Sequence, residues 1–326
     1  MIHKRNLTRL FLIFCFLLLP QFVLGWNATG HELVAAIAWD NMTPTARQRA
    51  IALFQAAPQD ACLRNLFPND SRPLADRQRE FFIVASTWSD IVRPNDKPGQ
   101  PDTRPCIRFH RGDWHFINFF WEGLSGAAGG NAPKDLPKMQ PPEVNAVERL
   151  KYFRPFVMCS KPACGTTNEE RATTLAWILH LVGDLHQPLH TTARVTETEP
   201  KGDQGGNLFK LPPNAFSLHS YWDGIINRSI PQPQTESVIA YINRVEGIIV
   251  QNHPRAAMES RLRSGDVLAW TLEGFVTTKQ KIYPESLKRD QIPNDAYQQM
   301  AFTTAKEAIA LGGYRLADLL NRMLVS

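Results

Sequence analysis

The sequence predicts an all-α fold: a single compact multi-helix domain with few or no short strands. Helix-start signals recur ahead of apolar runs, strand-like alternation is scarce, and about 300 residues at 43% hydrophobic content suffice for one large core. In chain order, Thr29 with Glu32 three residues on forms a capping box for a first helix from about Gly30 to Asn41. Thr43-Pro44 then caps and opens a second. A third runs from Asn168 to Gln187, with Asn168 as cap, Glu169 and Glu170 in its first turn and Leu175, Leu179 and Val182 as its apolar stripe. Pro188 ends it. Near the C-terminus Ile309, Leu316, Leu320 and Leu324 keep helical spacing. Phe81-Phe82-Ile83-Val84 and Phe116-Ile117 are the only strand candidates, and the Gly- and Pro-rich stretch from Gly123 to Pro142 reads as a long surface loop.

Residues 1–25 read as a cleaved signal peptide, leaving 26–326 as the mature domain. Lys4, Arg5 and Arg9 form a basic start, an apolar run from Leu10 to Leu19 follows, and Val23-Leu24-Gly25 precedes the cut. That run is shorter than the roughly 20 residues a spanning helix needs, which disfavours the alternative of an uncleaved anchor. The expected setting is secreted or periplasmic. Removing the segment takes three of the 36 Lys and Arg and no acid, leaving 33 against 31. The mature charge balance therefore gives no ground for inferring a nucleic-acid partner. Cys15 leaves with the segment, and Cys62, Cys106, Cys159 and Cys164 remain. An even number in an exported chain points to two disulfides, Cys159 with Cys164 across a four-residue loop and Cys62 with Cys106. Zinc thiolates are the other reading, but the spacing matches no zinc-finger pattern.

Most histidines of the mature chain lie beside an acid at metal-ligand spacing. His180 and Asp184 are four apart and share a helix face, and His186, Gln187 and His190 follow at once. His219 and Asp223 repeat the spacing, while Asp90 in Ser-Thr-Trp-Ser-Asp and His115 in Asp-Trp-His-Phe-Ile-Asn add single candidates. Imidazole and carboxylate without thiolate is the usual ligand set of catalytic zinc. One such pair is an ordinary helix-surface feature; two, with a further His in the same stretch, favour a metal site over structural histidines. His31 lies five residues from the amine that cleavage would free on Trp26, and an α-amine of pKa about 7.7–8.0 can bind zinc. Trp26 could equally be an apolar end that packs down.

These motifs together resemble the trinuclear-zinc, single-strand-preferring nucleases that share a superfamily with bacterial zinc phospholipase C. The resemblance runs from Trp26 to the C-terminal helix, through Trp-x4-His, Trp-Ser-Asp, Trp-His-Phe-Ile, His-x3-Asp-x-His-Gln-Pro-x-His, Gly-Gly-Asn and His-x2-Trp-Asp. It implies three Zn2+: one held by Asp90, His115, His180 and Asp184, a second by Trp26 and His31 with Asp184 bridging, a third by His190, His219 and Asp223. It also implies a zinc-activated water attacking phosphorus in line, with Arg93, one turn after Asp90, helping at the phosphate. The expected activity is endonucleolytic hydrolysis of single-stranded DNA and RNA to 5′-phosphates, with 3′-nucleotidase activity alongside. A monomer acting on nucleic acids and nucleotides, with no membrane anchor after cleavage, is expected.

Asn207, in Gly205-Gly206-Asn207, matches a base-binding position, with Gly206 beside it; read alone, the triplet is a tight turn. His186 is left to orient a ligand from behind, and His110 and His253 to ordinary surface or core roles. Two departures stand out. Asn118 occupies a place where the family commonly has an Asp that orients the attacking water. The loop between Cys159 and Cys164 reads Ser-Lys-Pro-Ala where relatives carry a base-binding Asp. The rival readings are a phospholipase C, disfavoured by Asp223 in place of the usual Glu and by Gly-Gly-Asn, and an exported zinc-binding protein without catalysis, which the complete ligand set opposes.

Overall fold

A computed structural model describes residues 26–122, 139–158, 165–212, 216–263 and 265–325. Residues 1–25, Cys159, Cys164 and most of the Gly123–Pro142 stretch lie outside them, and with them the expectations of a signal segment, a second disulfide and a surface loop. Among the described residues the architecture is helical: α1 (Ala28–Asn41), α2 (Pro44–Gln55), α3 (Leu74–Ala85), α4 (Trp88–Ile91), α5 (Ala146–Met158), α6 (Asn168–Leu185), α7 (Leu218–Asp223), α8 (Ile225–Ser229), α9 (Val238–Asn252), α10 (Arg255–Met258), α11 (Val267–Thr277) and α12 (Asp295–Val325). Two small sheets complete it. β1 (Phe119–Glu122) pairs in parallel with β2 (Thr192–Val195), and β3 (Lys210–Leu211) pairs antiparallel with β4 (Phe216–Ser217). No helix among the described residues is long and apolar enough to cross a membrane.

The centre of the molecule is α1, which packs against α12, α3, α9 and α6. Its residues from Gly30 to Trp39 are all buried. A helix enclosed on every side shows no amphipathic stripe, so burial rather than pattern explains its apolar content. Ile309, Leu316, Leu320 and Leu324 lie buried on α12, as their spacing predicts. Cys62 and Cys106 form the expected disulfide, tying the loop after α2 to the turn before His110.

Several local expectations need correction. The cap of α1 is Asn27, whose side chain accepts from Gly30 N–H; Thr29 instead takes a hydrogen bond from Asn227. Thr167, not Asn168, caps α6 through a full capping box with Glu170, because the Asn168 side chain is engaged by Arg171. That helix stops at Leu185, and Pro188 opens a 3-10 turn over Pro188–Thr191. Phe81–Val84 is helical, within α3, where consecutive apolar residues pack into the α1 core. Phe116-Ile117 is not a strand either, although Ile117 N–H donates to His190 O just ahead of the β1–β2 pairing. Thr43 caps α2 with Pro44 at its first position, as read from the sequence.

Candidate metal centre

Three groups of His and Asp side chains converge, each with ligand atoms within 4.8 Å of one another: His31, Asp90 and His180; His115, His180 and Asp184; His190, His219 and Asp223. The fold brings them together from six places. α6 supplies His180 and Asp184 on one face, α7 supplies His219 and Asp223, α1 supplies His31 and the short α4 supplies Asp90. His115 follows a 3-10 turn over Gly112–Trp114, and His190 sits in the Pro188–Thr191 turn. His115 and His190 are locked together by hydrogen bonds from His190 Nδ1 to His115 O (2.7 Å) and from Ile117 N to His190 O (2.8 Å), which the β1–β2 pairing extends.

Asp184 lies at the middle, with no exposure to solvent. One carboxylate oxygen lies 3.1 Å from His115 Nδ1 and 3.2 Å from His180 Nε2. The other faces His31 Nε2 at 3.4 Å and His190 Nδ1 at 3.5 Å, and makes no hydrogen bond. His31 approaches this closely because residue 183 is Gly: a Cβ there would lie 2.5 Å from His31 Nδ1. The His31 ring stacks on His180 with centroids 3.9 Å apart, and neither of its nitrogens has a hydrogen-bond partner. Trp26 is fully buried just ahead of α1, and Asn27 N–H donates to Asp223 O (3.2 Å), so the chain enters beside the third group.

Three of the imidazoles are oriented by backbone carbonyls, which only accept. Nδ1–H of His180 donates to Ser86 O (2.8 Å), that of His190 to His115 O (2.7 Å) and that of His219 to Gly205 O (2.7 Å). In the neutral rings of His190 and His219, Nε2 is then a bare lone pair. His190 Nε2 and His219 Nε2 face one another at 3.1 Å, an arrangement that needs a cation between them.

Titration follows the same logic. Burial, then the neighbouring His180, lowers His31 to about 4. Burial with His190 lowers His219 to about 3, and burial lowers His190. Burial opposes protonation of His180 too, but Asp184 and Asp90 outweigh it and raise that ring to about 9. Asp184 is driven well below the carboxylate range because the imidazoles overcome its burial, whereas burial pushes Asp223 well above it. The donor set, the orphaned nitrogens and the bare Asp184 oxygen all fit divalent metal.

The centre forms the floor of a pocket of about 650 Å³ lined by His115, His190 and His219 together with Arg93, Asn118 and Asn207. Arg93 Nη2 lies 3.5 Å from Asp90 Oδ1, so the guanidinium steadies that carboxylate while facing the cavity. Gly206 is buried behind the wall, its carbonyl accepting from Phe209 N and His219 N. Gln204, which no motif singles out, lines the pocket, and so does His110, expected to have an ordinary surface or core role. His110 lies within the electrostatic reach of Arg93, His115 and Asp90; only its five-residue distance from His115 could have pointed to it. His186 lies apart, its nitrogens taken by Val182 O and Arg315, and His253 caps α9 far from the pocket. Gln187, by contrast, donates to Asp223 Oδ1 at 2.7 Å and so orients a carboxylate of the third group.

Fold and site together define a class: a helical protein whose core is built around a His/Asp metal centre at the base of an open pocket. Within that class, the model of the S1/P1 Nuclease family matches residues 26–325, and the chain belongs to this family. Among individual relatives, it is 27% identical over 195 residues to Endonuclease 5 of Arabidopsis thaliana, covering 53% of this chain and 58% of that protein. It is 21% identical over 314 residues to Endonuclease 2 of the same plant, covering 92% and 90%. The match to Nuclease S1 of Aspergillus oryzae is 22% over 209 residues, covering 64% and 56%.

Proposed function

We propose that this protein is an exported, zinc-dependent endonuclease that hydrolyses single-stranded DNA and RNA to 5′-phosphate products, holding three zinc ions and working in the periplasm or outside the cell. The observation that carries the reading is the set of three convergent His/Asp groups, reached through His115, His190 and His219 from an open pocket whose walls carry Arg93 and Asn207. Family membership and the names of the relatives support nucleic acid as the substrate.

Asp90, His115, His180 and Asp184 would hold one ion, His190, His219 and Asp223 another, and His31 with the amine of Trp26 the last, with Asp184 shared. Bound zinc supplies Lewis acidity and lowers the pKa of water. The chain's own groups do the rest. Arg93 presents its guanidinium to the phosphate from its anchor on Asp90. Asn118 faces the same cavity and can orient a water through its amide, but it cannot accept a proton. Asn207 offers its amide to a base edge; its side chain currently donates to Gln204 O and accepts from Ser217. The apolar part of the wall, Phe116 with Leu189, gives a base a surface to stack on.

The test is a panel. Protein beginning at Trp26 is incubated with single-stranded DNA, RNA and phosphatidylcholine, with and without a chelator, and the product ends are mapped. Cleavage of both nucleic acids with 5′-phosphate ends, abolished by the chelator, supports the proposal. Release of the lipid head group alone would move the protein to the phospholipase branch, and bound zinc without turnover would make it an inert binder.

A further inference from the structure

Gln204 (φ 55°), Gly205 (φ 61°) and Gly206 (φ 83°) all adopt the left-handed conformation, although Gln204 is not glycine. The turn is wedged in place. A Cβ on Gly205 would lie 2.3 Å from Leu189 O, and one on Gly206 would lie 3.0 Å from the Tyr283 hydroxyl. Its outer residues, Gln204 and Asn207, line the pocket, and its inner carbonyl, Gly205 O, takes the proton of His219 Nδ1.

A strained turn persists only where its surroundings over-determine it, and here the determinant is Asp203. This side chain has no exposure. Asp203 Oδ1 accepts from Arg194 N (2.9 Å), Oδ2 accepts from the Tyr283 hydroxyl (2.6 Å), and the carboxylate also takes a backbone hydrogen bond from Gly206. Its own backbone closes the frame, with Asp203 N donating to Arg194 O and Leu208 N to Asp203 O. Tyr283 is held in turn by the Arg194 guanidinium, 4.5 Å from its ring centre, and by an edge contact with Trp121. Neither Asp203 nor Tyr283 lines the pocket.

We propose that Asp203 and Tyr283 are positioning residues for substrate binding: joined by their hydrogen bond, they fix the left-handed turn that presents Gln204 and Asn207 to a nucleotide. This rests on the reading of the pocket as a nucleotide site. Tyr283→Phe keeps the ring contacts and removes the hydroxyl bond alone, so it separates positioning from packing.

The experiment compares the parent with Tyr283→Phe in KM and kcat on a single-stranded oligonucleotide, zinc content, and the Kd of the zinc-loaded protein for a 5′-mononucleotide by calorimetry. The expected result is a rise of about tenfold in KM and in Kd, with kcat within about threefold and zinc content unchanged. Asp203→Asn, which keeps the shape and loses the charge, moves both constants the same way. KM and Kd within about twofold of the parent in both variants overturns the inference, and so does loss of zinc in Tyr283→Phe. If the parent cuts no nucleic acid, the proposed function fails, and the mononucleotide Kd still decides whether these two residues shape the pocket.

Discussion

Three imidazoles of the second and third groups are useful because of what their other nitrogen does. His180, His190 and His219 commit Nδ1 to carbonyls of residues 94, 75 and 14 positions away. Spacing along the chain shows that His180 and Asp184 share a helix face; it cannot show which nitrogen is turned inward, since those carbonyls come from other elements. The same limit hid His110, whose place in the pocket wall depends on how the segment after Cys106 is folded. Arg93 was legible because it follows Asp90 by one turn, and the structure puts it on that carboxylate and in the pocket. Arg93→Ala should lower kcat by about 10² to 10³ while zinc content stays at the parent value. Steady-state kinetics beside metal analysis checks this; a parent-like kcat would remove Arg93 from the chemistry.

At the scale of elements, α6 does the most for the centre, and its role was the most legible part of the sequence. Its His180-Asp184 pair, its acidic first turn and its stop before Pro188 are all local features. The convergence of α1, α4 and the His115 segment on α6 is not local; it was readable only through resemblance to a known family. The geometric reason for the α1–α6 approach is Gly183. Gly183→Ala would bring a methyl group to 2.5 Å from His31 Nδ1 and force α1 away from Asp184. The expected outcome is loss of one zinc per chain and a stability cost of about 1–3 kcal/mol, measured by metal analysis and chemical denaturation. A variant with full metal content would mean that His31 is not a ligand. The erroneous strand reading of Phe81–Val84 has a similar origin, since four apolar residues in a row carry no period and α3 buries three of them, Phe81, Phe82 and Ile83.

For the whole molecule, the α1-centred core couples stability to pH. Glu246 on α9 is raised to about 7 by burial and by Asp40, against the pull of Arg79. Folded protein therefore keeps a proton that the unfolded chain, at the ordinary 4.5, has released, so this group's contribution is complete below 4.5 and is lost as pH rises through about 7. Glu246→Gln cannot lose that proton. Its melting temperature relative to the parent should climb between pH 5 and pH 8, whatever constant offset follows from the altered contact with Arg79; a flat difference would contradict the assignment. The central claim also belongs to this scale, because the centre draws on four helices and two turns, and the proposed ligand set adds the residue that cleavage would expose. Its most direct test is metal content per chain, by mass spectrometry, of protein beginning at Trp26 and of a twin extended by one Ala. The account predicts about three zincs in the first and a loss of metal in the twin, whose Trp26 amine is blocked. Equal metal content in the two would show that Trp26 is not a ligand, and one zinc or none in the first would contradict the three-ion centre.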